Sequence, residues 1–152
     1  MKRAAVFFCV VLLLFLASCG QMEQRSASDI LSEKMASIGN LPAGSIYLSA
    51  AKEGDVSYIS AELLSTMYGI DIENVEEHFK ICEDIAIYLS NSAPYEIAVF
   101  KCYSSTDASS IAALCMKRIE NMRVLLRNTE WYSASDGAHV EISQHIVIAT
   151  FC

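Results

Sequence analysis

The segment from Tyr95 to Asn128 constrains the fold more than any other part of the chain. Tyr95-Glu96-Ile97-Ala98-Val99-Phe100-Lys101-Cys102-Tyr103 is rich in β-branched and aromatic residues and reads as a strand. Thr106 or Asp107 then caps a helix running to about Asn128. Its Ile111, Leu114, Cys115, Ile119, Met122 and Leu126 recur at helical spacing and form one apolar stripe. Such a stripe needs an apolar surface to cover, and the preceding strand supplies part of one.

The rest of the chain offers shorter elements. Ser28 or Asp29 caps a helix to about Ile38, with Ile30, Leu31, Met35 and Ile38 on one side, and Gly39 to Gly44 breaks it. Ile46 to Ile59 is ambiguous, with a short strand expected around Asp55–Ile59. Ser60 opens a helix over Ala61–Tyr68, closed by Gly69 in the manner of a C-cap. Ile72 to Phe79 reads as a helical turn or two, and Ile81 to Leu89 as a strand ended by Asn91-Ser92-Ala93-Pro94. A final strand is expected from about His139 to Phe151. Together these predict an α+β domain: a small antiparallel sheet with helices packed on one face, one of them long and amphipathic.

The N-terminus belongs to a different class of segment. Met1-Lys2-Arg3 precedes fourteen apolar residues, Ala4 to Ala17, and then Ser18-Cys19-Gly20. A basic start, a short apolar run and small residues before a cut site describe a secretory signal peptide. Crossing a bilayer takes about 20 apolar residues, so the run is short for a spanning helix. Leu16-Ala17-Ser18-Cys19 resembles the lipobox of bacterial lipoproteins, in which the cysteine thiol receives a diacylglyceryl group and becomes the first mature residue. That resemblance makes Cys19 the lipidation site and places the chain on the extracytoplasmic face of a cell membrane. The expected organisation is a signal peptide over 1–18, a lipidated cysteine with a polar tether over 19–28, and one domain over 29–152.

The chain has 11 Lys+Arg against 18 Asp+Glu. Phosphate contacts need basic residues, so this balance argues against a nucleic-acid partner. Apolar content of 53% is too high for disorder by composition. The succession of lipobox, Tyr68-Gly69-Ile70-Asp71, the strand Glu96-Ile97-Ala98-Val99-Phe100-Lys101, a long amphipathic helix and a closing apolar strand resembles a family of small lipoproteins, domain of unknown function 4358. The resemblance covers roughly Leu41 to Phe151. It implies an envelope location and a single domain, and it assigns no catalytic or binding residue.

The residues that could carry chemistry are few. After Cys9 and Cys19, the cysteines are Cys82, Cys102, Cys115 and Cys152, none spaced as Cys-x-x-Cys. Small-hydrophobe core roles are the favoured reading, with one or two disulfides as the alternative and three complete pairings open. His139, Glu141, Ser143 and His145 share a face if the last strand is continuous. His139 and His145 are then roughly 20 Å apart, too far for one metal ion. His78 stands alone. The acidic stretch Asp71, Glu73, Glu76, Glu77, Glu83 and Asp84 lacks calcium-loop spacing and reads as a solvated helix face beside Lys80. Trp131-Tyr132 reads as a lid over the end of the long helix, with ligand anchoring as the alternative.

Neither a nucleophile elbow nor a glycine-rich phosphate loop is present in the sequence. The expectation is a membrane-anchored, non-enzymatic interaction or accessory module with an envelope protein as partner. No cofactor, metal ligand or catalytic residue is assigned. The alternative is a module that captures a small molecule, cation or cell-wall fragment at the membrane surface. An enzyme built from Cys82 or Cys102 and a distant histidine ranks last.

Overall fold

The computed structural model describes residues 25–152. The expected signal peptide, lipobox and lipidation site at Cys19 lie outside these residues. Helix α1 spans Ala27–Ile38, one residue after its cap. The cap is Ser26, not Ser28 or Asp29: the Ser26 hydroxyl accepts from the Asp29 amide at 3.1 Å, and the Asp29 carboxylate accepts from the Ser26 amide at 3.3 Å. This reciprocal box holds the Asp29 carboxyl below the usual carboxylate range. The packed domain therefore begins earlier than 29, because Ala27 is fully buried.

Strand β1 spans Gly44–Leu48 and pairs antiparallel with β2, Cys82–Ser90. A Cβ on Gly44 would meet the Leu89 carbonyl oxygen at 2.4 Å, which explains glycine at this close approach. The expected strand at Asp55–Ile59 is absent. Tyr58 makes only an isolated bridge to Leu48, and the strand lies upstream. Helix α2, Ala61–Tyr68, is capped by Ser60 and closed by Gly69 in the left-handed region, as the sequence predicts. A 3-10 turn at Ile72–Asn74 leads into α3, Val75–Phe79.

Strand β3, Glu96–Cys102, is the middle strand of the five-stranded sheet. Helix α4, Ser105–Leu126, follows it directly, capped by Ser104 instead of Thr106 or Asp107. At 22 residues it is about 33 Å long. A 3-10 segment, Tyr132–Gly137, then leads to the strands β4, His139–Ser143, and β5, Ile146–Phe151. The expected single final strand is thus a hairpin. Its turn is Gln144-His145, with Gln144 at φ 56°, and no glycine, proline or asparagine marks it in the sequence.

The α+β class and the antiparallel sheet hold, but the helices do not share one face. Ile85, Ile87, Ala98, Phe100, Val147 and Ala149 face α2, α3 and α4. Ala86, Tyr88, Ile97, Val99 and Ile146 face α1, which covers the other side alone. The reason is visible in β3, where every residue is buried. A strand without polar alternation is covered on both faces.

Candidate functional site

The two ends of the sheet differ in chemistry. One end gathers the start of β2, the end of β3 and the start of α4. There the Ala27 amide donates to Asp84 Oδ2 at 2.7 Å, and the Ser49 hydroxyl donates to Asp84 Oδ1 at 2.8 Å. Asp84 is therefore a structural acceptor fastening α1 and the segment after β1. Within the acidic stretch, Glu73, Glu76, Glu77 and His78 are exposed on or beside α3, in keeping with a solvated face.

Cys82 and Cys102 also meet at this end. They are register partners on β2 and β3, with Sγ atoms 3.9 Å apart. A hydrogen bond shared between the two sulfurs lowers the Cys102 pKa and raises that of Cys82. Cys102 and Cys115 are both buried in the core. Burial pushes the Cys115 thiol up to about 12, so it is a poor nucleophile. Cys152, near the C-terminus, is half-buried.

The opposite end is built from the second half of α4. Arg118 Nε and Nη2 donate to Glu96 Oε2 at 3.2 and 2.9 Å, an ion pair closed over the start of β3. Beside it, the buried Tyr68 hydroxyl makes no hydrogen bond to a described residue, and burial drives its pKa well above the ordinary phenol value. The cavity among Tyr68, Glu96, Cys115 and Arg118 measures only ≈ 10 Å³, too small for an organic ligand.

Further along α4 lies an open groove of ≈ 600 Å³ lined by Met116, Ile119, Arg123, Val124, Tyr132 and Val140. Met116, Val124 and Tyr132 are 56%, 60% and 46% exposed, an apolar strip left in water. Arg123 Nη2 donates to the carbonyls of Ser135 at 3.1 Å and Ala138 at 3.3 Å, which fixes the 3-10 segment as the groove's far wall. The groove's charged lining on α4 and its exit is Arg123 and Arg127 against Glu120. The sign of charge is the reverse of the chain as a whole.

Trp131 packs edge-on against Tyr95, ring centroids 6.5 Å apart, beside the start of β3. Tyr132 lines the groove. His139 and Glu141 are brought together, but as members of an ion cluster. His139 Nε2 lies 2.8 Å from Glu141 Oε1, and Lys34 of α1 donates to the same oxygen. Lys34 first, then His139, holds the Glu141 carboxyl below its ordinary value. His145 sits in the hairpin turn at the other end of β4, so the two histidines stay apart although the strand is not continuous. No group of His, Cys, Asp or Glu among the described residues is arranged to hold a metal ion. No helix among them is long and apolar enough to cross a membrane.

The sequence reading missed the groove. Its signal was present as Met116, Val124 and Leu125, apolar residues on α4 that fall outside the buried stripe. No family model, curated protein or solved structure matches the chain.

Proposed function

We propose that the chain is a lipid-anchored, extracytoplasmic interaction module without enzymatic activity, and that the α4 groove is its working face. The observation that carries this reading is the exposed apolar strip of Met116, Val124 and Tyr132 beside Arg123 and Arg127, on a chain of net charge -7. A segment of an envelope protein that joins an apolar side chain to carboxylates fits that surface. Association there gains apolar burial at the centre and charge complementarity at the rim.

The topology supports an orientation. Ala27 is tied to Asp84 at one end of the sheet, and the groove lies at the other, about 20 Å away along the length of β3. A tether from Cys19 therefore enters opposite the groove. Six residues, Gly20 to Arg25, reach at most about 20 Å. The groove then faces away from the bilayer, which favours a protein partner over lipid.

Cys19→Ala in the native cells should shift the protein from the membrane fraction to the soluble or precursor pool and abolish fatty-acid labelling. Retained labelling would overturn the anchor. A photo-crosslinking residue at Val124 should give one dominant protein adduct, whereas one at Val56, 97% exposed at the tether end, should not. Val124→Asp should remove that interaction at least tenfold, with melting unchanged because the side chain is largely in water. Equal adducts at both positions, or none, would refute the groove as the working face. A volume of ≈ 600 Å³ also lies within the range of small-molecule sites. Thermal stabilisation by an anionic wall fragment, with no protein adduct at Val124, would favour ligand capture instead.

A further inference from the structure

We propose that Cys82 and Cys102 form a disulfide that staples β2 to β3 in the mature protein. The Tyr103 amide donates to the Ile81 carbonyl at 3.1 Å, so Ile81 and Tyr103 flank the next position as a hydrogen-bonded pair. The Cys102 amide points the other way, to the His145 carbonyl at 2.8 Å. Cys82 and Cys102 are therefore a non-hydrogen-bonded pair, in which Cα atoms approach to about 4.5 Å and side chains lie closest. That spacing falls within the range a disulfide accepts.

The side chains agree with the backbone. Both sulfurs lie on the α4 side of the sheet, 3.9 Å apart. Closing the bond moves them together by about 1.9 Å, a matter of side-chain torsion once the strands are placed. The placement depends on a bulge. From Leu89↔Glu96 to Asp84↔Lys101 the register is regular, and it then skips Glu83 to set Cys82 against Cys102. Without the extra residue, Cys82 would oppose Tyr103. Cys115 is held by α4 within the same core, and Cys152 lies beyond the end of β5, at the opposite end of the sheet.

The chemistry is thiol–disulfide exchange. One of the two cysteine thiolates displaces a small thiolate from an external disulfide of the glutathione class, giving a mixed disulfide. The other then attacks that cysteine sulfur and releases the second small thiol. Two protein thiols are oxidised, one external disulfide is reduced, and the two protons end on the released thiols. The linkage closes a span of 20 residues in the unfolded chain.

The full chain, reduced and unfolded in guanidinium, should be refolded in a glutathione redox buffer, alkylated and digested with trypsin and chymotrypsin. Cleavage after Tyr103 separates Cys102 from Cys115. The expected product is one peptide pair linked through Cys82 and Cys102, short of two hydrogens, with Cys115 and Cys152 alkylated. Melting should rise by about 5–10 °C over the reduced protein and fall back with reductant. Cys115→Ala should leave the linkage and the difference in melting between oxidised and reduced protein unchanged. Alkylation of all four cysteines, linkage through Cys115 or Cys152, or a persistent mixed disulfide at Cys82 would each overturn the proposal. These readouts do not depend on the anchor or the groove.

Discussion

Phe100→Ala should lower the unfolding free energy by about 3–5 kcal/mol, the largest loss expected from any single side chain here. Phe100 is fully buried at the middle of β3. It stacks on Phe79 at 6.0 Å and meets Tyr68 edge-on at 6.0 Å, so one ring joins the central strand to both α3 and α2. Its removal leaves a cavity bounded by the Tyr68 and Phe79 rings, each at the C-terminal end of a short helix. Urea unfolding measures the effect against Ile142→Ala, which is 52% exposed and should change stability by under about 0.5 kcal/mol. A loss below about 1.5 kcal/mol for Phe100→Ala would mean that α3 collapses into the gap, and that the aromatic cluster is not what holds these helices.

Arg118→Ala should be nearly as damaging, at about 3–5 kcal/mol, because it strands the Glu96 carboxylate in the core. The reverse change, Glu96→Ala, should cost less. The Arg118 side chain is 20% exposed against 8% for Glu96, so a freed guanidinium can reach water where a freed carboxylate cannot. Replacing both with Leu and Met of similar volume should be close to neutral, since the pair's mutual attraction mainly offsets its own desolvation. Denaturant midpoints of the two single variants and the double variant decide the matter. If Glu96→Ala proves the worse of the two, the asymmetric escape to water is wrong.

The elements that were legible in the sequence carry strong local signals. Ser60 and Gly69 bracket α2 because a cap hydroxyl and a left-handed glycine are local requirements, met without help from the rest of the fold. The long stripe of α4 was readable for the same reason, and its buried members Ile111, Cys115 and Ile119 face the sheet. What was not legible depends on partners distant in sequence. The Gln144-His145 turn has no turn residue of its own and is imposed by pairing Ser143 with Ile146. Helix α1 crosses to the second face because Ile97 and Val99 need cover there, although Ile97-Ala98-Val99-Phe100 already signalled a strand buried on both sides.

The candidate site divides in the same way. The acidic face of α3 could be read from helical spacing. The juxtaposition of Cys82 and Cys102 could not, because a hairpin centred on Asn91–Pro94 sets them opposite one another only after the bulge at Glu83. The groove is a property of three separate segments, the α4 exit, the 3-10 wall and β4, and no one of them contains it.

The sheet ends on two strands of only five residues each, β1 and β4. Glu141 on β4 is already engaged by Lys34 and His139, so a neighbouring copy approaching that margin meets charge before it finds a run of free amides. At the β1 margin the Leu48 amide already donates to the Ser57 carbonyl, so the ladder left open there is shorter than the strand. Copies crowded together should therefore not extend one another's sheets through either margin.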